Sequence, residues 1–322
     1  LGLPNEKFYL PAEAINHFQH RFDLLRNEVE VVAKNVENAR LDKDVDKLWR
    51  LCIEEELPEL ELPQFEIGTV LATRKAFGAT LDFFAPQLPN LIGGSADLEP
   101  SNYTGNFAAS YGDYLKDNRS GRNFAFGVRE FPMAAIMNGI ALHGGLIPFG
   151  GTFLVFSDYE RPALRLAAIQ HLQVIHEFTH DSFYVGEDGP THQPVEHAMG
   201  LRTIPNFNVF RPANAQETAA CFQLALQTTQ TPSALLLTRQ GVPVSTLQID
   251  TIKSGVQKGA YIIEDGSEHP ELIFLATGSE VSLALEVAGL MNDKHIRVVS
   301  MPCLEIFNQQ STEYKSQIIP ER

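Results

Sequence analysis

Cysteine and long apolar runs are scarce in this sequence of 322 residues. Its three cysteines, Cys52, Cys221 and Cys303, are too few and too widely spaced for a disulfide framework, and this favours a reducing compartment such as the cytoplasm. No apolar run approaches the roughly 20 residues that span a membrane, and the N-terminus lacks the basic-then-apolar pattern of a signal peptide. We therefore expect a cytoplasmic protein with no membrane contact.

Positive charge is also in deficit. Lysine and arginine total 25 against 40 aspartate and glutamate residues, so the formal net charge is −15. This excess of carboxylates repels a phosphate backbone and excludes a broad nucleic-acid surface, although it allows a local basic pocket for one phosphate. The hydrophobic fraction of 44% predicts a substantial core. Because the chain starts without methionine and both ends fall in sequence typical of a folded domain, we expect a piece of a longer protein.

The chain changes character near residue 66. Residues 1–65 are charged and interrupted by proline, and their helical period predicts a helical linker. Beyond them, apolar runs typical of strands alternate with runs typical of helices. The predicted helices cover 73–85, 132–142, 161–171 and 215–227, and the predicted strands cover 91–92, 124–128, 147–156, 174–179 and 234–238. This alternation predicts an α/β domain with a parallel sheet covered by helices on both faces.

A second α/β unit follows from about residue 247. Its predicted strands cover 259–263, 272–276 and 296–300, and its predicted helix covers 280–291. The sequence ends soon after the last strand, so we expect this unit to be a truncated domain.

Polar residues concentrate in the loops that follow the predicted strands. In open parallel sheets these loops meet at one edge, where ligands bind. The loops carry Arg129 with Glu130, Ser157 to Tyr159, His180 to Ser182, the run from Gly186 to Pro194, and Arg239 with Gln240.

Single residues in and near these loops also have plain structural explanations. A lone Glu130 would suit the positive end of a helix dipole. Phe153 and Phe156 would be core residues of a buried strand. Arg74 and Arg239 would each be solvated surface residues. None of them indicates a site by itself.

The segment His176-Glu177-Phe178-Thr179-His180 matches the H-E-x-x-H pattern of zinc metalloproteases. That pattern works on a helix, where residues four apart lie about 6 Å from each other and share one zinc ion. On a strand the same residues span about 13 Å. Because the flanking residues are typical of a strand, we predict that this segment binds no zinc.

Four stretches of the sequence together resemble the transketolase family. They are Gly93-Gly94-Ser95-Ala96-Asp97-Leu98 followed by Pro100-Ser101-Asn102, then Phe126-Gly127-Val128-Arg129-Glu130, then Gly186-Glu187-Asp188-Gly189-Pro190-Thr191-His192-Gln193-Pro194, and finally Leu275-Ala276-Thr277-Gly278-Ser279-Glu280-Val281. The resemblance implies the thiamine-diphosphate-binding fold. It implies a linker over 1–65, a pyrimidine-binding domain over 66–246 and part of a C-terminal domain over 247–322.

The resemblance also implies roles for cofactor-binding residues. Glu130 is expected to hydrogen-bond the aminopyrimidine ring of thiamine diphosphate, in a pocket dry enough for the carboxyl group to share its proton with the ring. Phe156 is expected to stack on that ring, and Phe153 and Tyr159 complete an aromatic wall. Asp97 matches a family position near the cofactor and the subunit contact.

A second set of positions is expected to bind the substrate. By resemblance, the phosphate is bound by Arg74, Ser101, His180 and Arg239, where the planar fork of arginine suits phosphate oxygens. Asp188 and His192 are expected to contact the sugar hydroxyls. Glu130 and His192 are the expected catalytic residues.

The implied activity is the reversible transfer of a two-carbon ketol group from a ketose phosphate to an aldose phosphate in the pentose phosphate pathway, with thiamine diphosphate and Mg²⁺. No residue of this chain is expected to bind the metal, because the family's Gly-Asp-Gly motif and later Asn would precede residue 1. The full-length protein is expected to be a homodimer, and this chain alone should be inactive. Deoxyxylulose phosphate synthase, dihydroxyacetone synthase and a non-catalytic transketolase-like subunit remain as alternatives.

Overall fold

The computed structural model describes residues 2, 4–267, 269–291 and 295–320. Residues 1, 3, 268, 292–294 and 321–322 lie outside this description, and so do the parts of the predicted segments 1–65 and 247–322 that fall on them. The chain forms two compact units, Leu1–Glu56 and Leu57–Arg322. None of the described helices is both long and apolar enough to cross a membrane.

The first unit is helical, as the sequence predicts. Helix α1 covers Ala12–Ala39 and helix α2 covers Lys43–Cys52. The side chain of Asp42 accepts hydrogen bonds from the backbone N–H groups of Asp44 and Val45. This N-cap satisfies donors that the first turn of a helix leaves unpaired, so a new helix begins here after the turn that ends α1.

A parallel sheet forms the centre of the second unit. Its strands and a flanking ribbon are β1 Val70–Ala72, β2 Leu91–Ser95, β3 Ile147–Phe153, β4 Ile175–Thr179, β5 Asn208–Phe210, β6 Ser233–Leu237 and β7 Gly241–Pro243. Five strands pair in the order β2-β3-β4-β6-β5, all parallel, while β1 and β7 form an antiparallel ribbon. Every residue of the five strands is buried, as expected for a parallel sheet covered on both faces.

Helices cover this sheet and confirm the predicted α/β class. They are α3 Thr73–Phe84, α4 Glu99–Asn102, α5 Gly105–Tyr111, α6 Glu130–His143, α7 Ser157–Ile169, α8 His197–Arg202 and α9 Ala215–Gln227, and α10 Ile249–Lys258 follows and packs on α9. Helix α6 packs against α7 and β3, whereas α3 packs against α9. Because the five strands are parallel, the segments that follow β2, β3, β4 and β6 emerge at the same edge.

The predicted strand at 124–128 is wrong. The segment runs beside β2, where Gly93 N donates to Arg122 O at 3.1 Å and Phe124 N donates to Gly93 O at 2.9 Å. Phe126 N also donates to Ser95 O at 3.3 Å, and the contact with β2 ends before Gly127, which adopts a left-handed conformation with φ of +66°. The apolar run therefore leads into α6 as an irregular segment.

The predicted second α/β unit is confirmed. Its elements are β8 Tyr261–Asp265, β9 Leu272–Ala276, α11 Glu280–Met291, β10 Ile296–Ser300, α12 Leu304–Asn308 and α13 Thr312–Ile318. Strand β10 lies between the other two, parallel to β9 and antiparallel to β8. The ranges of β9, β10 and α11 are those predicted, and the two short helices after β10 were not predicted.

A buried carboxylate joins the two sheets. Glu217 of α9 is fully buried, and its Oε1 accepts hydrogen bonds from Tyr261 Oη at 2.7 Å and Ser300 Oγ at 2.6 Å. Its Oε2 accepts from the backbone N–H of Ala213 at 2.8 Å. Burial raises the pKa of Glu217, while these hydrogen bonds oppose the rise because they stabilise the ionised form. Helix α9 is thereby fixed to β8 and β10.

Arg211 makes a second link between the sheets. Its Nε donates to Asp181 Oδ2 at 2.8 Å, and its Nη1 donates to Thr277 O at 2.9 Å and to the Glu280 carboxylate. Asp181 directly follows His180, a predicted site residue. The loop after β4 is therefore held by the second sheet as well as by its own strand.

Candidate active site

Two threonines bring the start of α3 and the end of β6 together. The backbone N–H of Thr73 donates to Thr238 Oγ1 at 3.0 Å, and the backbone N–H of Thr238 donates to Thr73 Oγ1 at 2.7 Å. Both threonines are fully buried. The next residue of each segment is an arginine, so this reciprocal pair brings Arg74 and Arg239 into electrostatic range of each other.

Replacing Thr238 with valine keeps the size of the side chain but leaves the buried N–H of Thr73 without its acceptor. We expect the free energy of unfolding to fall by about 1–3 kcal/mol. Thr238→Ser retains the hydroxyl group and is the matched control. Denaturant unfolding of both variants checks this prediction, and a larger loss for serine than for valine would show that methyl packing, not the hydrogen bond, stabilises this junction.

Arg74 is half-buried and has few partners. Its Nη1 donates to Ser101 O at 3.0 Å, and its guanidinium carbon lies 5.3 Å from the centre of the Tyr103 ring. Its Nε is buried without a hydrogen-bond partner among the described residues. Burial lowers the pKa of Arg74, and the charge of Arg239 lowers it further. An arginine with an unused donor near a second cation is suited to bind an anion such as phosphate.

His180 is held in one orientation at the carboxyl end of β4. Thr179 Oγ1 lies 3.0 Å from Asn102 Oδ1 and 2.9 Å from His180 Nδ1, and the orientation of the Asn102 amide is set by its Nδ2, which donates to Ser95 Oγ. Because an amide oxygen cannot donate, the hydroxyl proton of Thr179 points to Asn102, and His180 Nδ1 carries the proton that Thr179 accepts. His180 Nε2 is therefore an acceptor, 4.0 Å from Asp188 Oδ2.

The surroundings of His180 also keep its imidazole neutral. Burial lowers the pKa of His180 to about 3, and the charges of Arg74, Arg239 and His192 contribute to the lowering. The backbone of His180 has a φ of +59°, a left-handed conformation that is strained for a residue other than glycine. Strain of this kind is found at ligand sites. At neutral pH, His180 can accept a hydrogen bond from a hydroxyl group without adding positive charge.

Aromatic rings line the segment after β3. This strand ends at Phe153, earlier than predicted, because the next three residues form a 3-10 turn. The rings of Phe153 and Phe156 stack with centroids 6.0 Å apart, and Phe156 and Tyr159 do the same. The His180 ring lies 3.8 Å from that of Phe153, and the His192 ring meets Phe156 at 5.3 Å with perpendicular geometry. These contacts join the predicted aromatic wall to two predicted substrate residues.

The glycine-rich loop after β4 lies against Arg239. Gly186 and Gly189 have φ of +81° and +82°, which a side chain would strain. A Cβ atom on Gly186 would lie 3.4 Å from Arg239 Nη1, so the missing side chain leaves room for the guanidinium group. The same loop carries Asp188, which is exposed, and His192, which is half-buried.

Two predicted cofactor residues lie apart from these contacts. Glu130 is the half-buried first residue of α6 and is close enough to Glu160 to raise the pKa of that buried carboxyl group. Asp97 is exposed in the turn after β2, with a left-handed φ of +65°. Among the described residues, the observed contacts connect neither side chain to the aromatic wall. Glu130 is half-buried, so the described residues do not close the dry pocket expected around it.

The H-E-x-x-H segment lies on a strand, as predicted. His176 Nδ1 lies 3.0 Å from Glu160 Oε2, and both side chains are fully buried. His180 instead contacts Phe153 at the end of β4. Burial raises the pKa of Glu160, and the contact with His176 opposes the rise. The two histidines have different partners, which is inconsistent with a shared zinc ion.

Asp158, Glu196 and His197 form a group that could hold a metal ion. The backbone N–H of Val195 donates to His197 Nδ1 at 3.4 Å, so His197 Nε2 carries the ring proton. That Nε2 faces Asp158 Oδ2 at 3.2 Å. A ring nitrogen that carries its proton is not a metal ligand, so we interpret this group as a close contact between an imidazole and one exposed carboxylate, with a second exposed carboxylate beside it.

The fold and these contacts define an α/β domain in which two neighbouring arginines, a neutral histidine and an aromatic wall lie at the carboxyl edge of a parallel sheet, the edge where such folds bind ligands. The chain matches two family models, "Transketolase, pyrimidine binding domain" over residues 69–244 and "Transketolase-like TK C-terminal domain" over residues 259–322. It therefore belongs to the transketolase family, which depends on thiamine diphosphate. The resemblance in the sequence motifs is confirmed.

Individual relatives are similar over nearly the whole chain. The transketolase of Bacillus subtilis is 45% identical over 323 residues, which cover 98% of this chain and 48% of the relative. The solved transketolase from Leishmania mexicana is 39% identical with a TM-score of 0.89, covering 98% of this chain and 47% of that one. A Pichia stipitis transketolase in complex with sedoheptulose-7-phosphate is 37% identical with a TM-score of 0.85, covering 99% and 48%. The chain thus spans about half the length of the curated relatives it matches.

A split gene transketolase, solved as an inactive β4 tetramer, is also similar. It is 26% identical with a TM-score of 0.60, and the match covers 78% of this chain and 77% of that chain. The two chains are therefore of similar length.

Proposed function

We propose that this chain is the pyrimidine-binding and C-terminal part of a transketolase, an enzyme that transfers a two-carbon ketol group reversibly from a ketose phosphate to an aldose phosphate in the pentose phosphate pathway. One observation carries this proposal. Arg74 and Arg239 interact electrostatically with each other and with a neutral His180, whose ring contacts that of Phe153 at the carboxyl edge of the sheet. Neither arginine has a hydrogen bond to a carboxylate in the part of the chain that the structure describes, so the two cations suit a phosphate, and the neutral imidazole suits a sugar hydroxyl.

We assign the chain to three segments. Residues 1–65 are a helical linker, 66–246 a pyrimidine-binding domain, and 247–322 part of a C-terminal domain. The family matches at 69–244 and 259–322 support the second and third assignments. The full-length protein is proposed to be a cytoplasmic homodimer, and the three unpaired cysteines support a reducing compartment.

The residues of the aromatic wall fit the aminopyrimidine of thiamine diphosphate. Phe153, Phe156 and Tyr159 offer flat apolar faces for a ring, and stacking leaves the polar edge of that ring for Glu130. Glu130 would hold a proton shared with a ring nitrogen, and Asp97 would lie near the cofactor. When bound, the cofactor supplies the electron sink for carbon–carbon bond cleavage and formation.

The substrate residues have separate proposed tasks. Arg74 and Arg239 bind the phosphate, and Ser101, whose carbonyl oxygen accepts from Arg74, lies at the same place. His180, whose Nε2 is an acceptor, accepts a hydrogen bond from a sugar hydroxyl group near the phosphate. Asp188 and His192 contact sugar hydroxyls near the reacting carbons, where His192 moves a proton. The Pichia stipitis complex with a sugar phosphate supports this substrate class.

The site proposed here is one half of the complete site. The sequence contains no Gly-Asp-Gly motif, so the ligands of Mg²⁺ and the diphosphate are assigned to a separate diphosphate-binding domain. The half-buried position of Glu130 supports the need for a covering surface. The split gene relative, described as inactive in its β4 form, supports the prediction that this chain alone does not turn over.

Calorimetric titration tests this proposal. Thiamine diphosphate with Mg²⁺ is titrated into the chain alone, and then into the chain mixed with the diphosphate-binding domain of the Bacillus subtilis relative. We expect binding only in the mixture, because neither half can enclose the cofactor by itself. Ketol transfer from a ketose phosphate to an aldose phosphate is then measured in the same mixture.

Each outcome bears on a different part of the proposal. Tight Mg²⁺-dependent binding by the chain alone would overturn the half-site interpretation and the domain boundaries. If the mixture forms a stable complex that binds the cofactor but does not transfer a ketol group, the result would favour a non-catalytic subunit.

A further inference from the structure

Glu177 is a buried carboxyl group for which the proposed reaction has no role. It lies on β4 and is fully buried, and neither of its carboxyl oxygens has a hydrogen-bond partner among the described residues. Its neighbour on the adjacent strand is Gly151, and a Cβ atom there would come within 2.7 Å of both Glu177 Oε2 and Asn102 Nδ2. The glycine therefore leaves the space into which this carboxyl group folds.

Glu177 lies on β4 two residues before Thr179, and therefore deeper in the sheet than the proposed phosphate site of Arg74 and Arg239. Side chains alternate along a strand, so Glu177 and Thr179 share a face of β4, and Thr179 is the residue that orients His180 through Asn102. Arg74 of α3 interacts electrostatically with Glu177. Glu177 thus faces the same guanidinium group that we assign to the substrate phosphate.

The other charged groups near Glu177 and Arg74 are few. Arg239 after β6, His180 after β4, and Asp188 and His192 in the following loop surround Arg74 or His180. His176 and its partner Glu160 lie on the opposite face of β4, because His176 is the strand neighbour of Glu177. Burial raises the pKa of Glu177 well above its ordinary value, and Arg74 opposes the rise.

We propose that Glu177 is a proton-dependent counter-ion of Arg74: as a neutral acid it leaves Arg74 to an incoming phosphate, and as a carboxylate it competes for Arg74. This inference rests on the proposed phosphate site and adds a control of its affinity. The only chemical change is the transfer of a proton between the Glu177 carboxyl group and solvent.

The direction of the effect follows from linkage. A dianion on Arg74 and a negative charge on Glu177 repel each other, so binding of the anion favours the protonated carboxyl group and takes up a proton. Glu177 is neutral at low pH and ionises as the pH rises through its raised pKa. Anion affinity is therefore full below that pH and decreases above it. Coupling between two such sites is typically about 5- to 150-fold in affinity.

Sulfate is the suitable probe, because it remains a dianion from mildly acidic to mildly alkaline pH. Its affinity for the chain is measured by calorimetry across this range for the unmodified chain, Glu177→Gln and Glu160→Gln. We expect the unmodified chain to lose about 5- to 150-fold in affinity as the pH rises. Glu177→Gln should lose only the part of this pH dependence that comes from other titratable groups. Glu160→Gln, which neutralises the buried carboxyl group of the opposite face, should retain the slope of the unmodified chain.

A second measurement needs no variant and covers the case in which Glu177→Gln does not fold. Sulfate binding by the unmodified chain, repeated in buffers of different ionisation enthalpy, should show net proton uptake in the range where the affinity decreases. Equal pH slopes for the unmodified chain and Glu177→Gln, or binding without proton uptake, would overturn the role of Glu177 alone. Failure of the folded, unmodified chain to bind sulfate at any pH would overturn the phosphate site and this inference with it.

Discussion

Glu130→Gln is expected to lower ketol transfer by the reconstituted enzyme by about 10²–10⁴-fold, the usual contribution of a positioned acid–base group. Glutamine keeps the size and hydrogen-bonding reach of the side chain but cannot exchange a proton with the aminopyrimidine. Cofactor binding should weaken far less than kcat, because the stacking faces of Phe153 and Phe156 are unchanged. Steady-state kinetics with the diphosphate-binding domain present, together with calorimetry of cofactor binding, separate the two effects.

Because Glu130 is the first residue of α6, it also has a simpler, structural explanation, and a control variant distinguishes this explanation from a catalytic role. If Glu130 only complements the dipole of α6, its replacement costs about 0.3–1 kcal/mol of stability and little activity. Asp158 lies in the first turn of α7 and provides a matched acidic position. Asp158→Asn should leave kcat within a few-fold of the unmodified chain. Equal rates for the Glu130 and Asp158 variants would remove Glu130 from the catalytic residues.

Removal of one partner of the buried His176–Glu160 pair is expected to be strongly destabilising. His176→Ala leaves the buried Glu160 carboxyl group without the imidazole that lies 3.0 Å from its Oε2, and the free energy of unfolding should fall by about 3–5 kcal/mol. Replacement of both residues by leucine removes the need for a partner. The double variant should be close to the unmodified chain in stability, because a buried polar pair contributes little relative to packed apolar groups.

Denaturant unfolding of the two single variants and the double variant measures this cycle. The recovery of stability in the double variant is the decisive result. If His176→Ala and the double variant lose the same free energy, the destabilisation comes from lost packing around β4, and the pair has no special role.

The sequence predicted correctly those helices and strands that have a regular apolar pattern and clear residues at both ends. Helix α9, helix α11 and strands β9 and β10 match their predicted ranges because each has a periodic apolar pattern and clear ends. The segment at 124–128 has an equally apolar pattern, yet Gly127 turns the chain away from the sheet. A glycine's backbone conformation is set by its tertiary surroundings, so the pattern alone could not show where the pairing ends.

The residues of the candidate site were predictable from motifs, but the contacts that hold them in place were not. The resemblance identified Arg74, His180 and Arg239, and the structure brings them together. The threonines that hold the two arginine segments are 165 residues apart in the sequence, and neither belongs to a recognisable pattern. Glu177 was visible only as part of an H-E-x-x-H match. Its significance depends on a neighbouring glycine in another strand, which requires the sheet register.

The hydrogen bonds to Glu217 limit how the two matched regions of this chain can be exchanged with those of a relative. The carboxylate belongs to the region that matches the pyrimidine-binding model, while two of its donors, Tyr261 and Ser300, belong to the region that matches the C-terminal model. A chimera that combined one region with a relative's other region would leave a buried carboxylate short of donors unless all three residues were transferred together. The two regions match separate family models, but this contact makes the stability of each depend on the other.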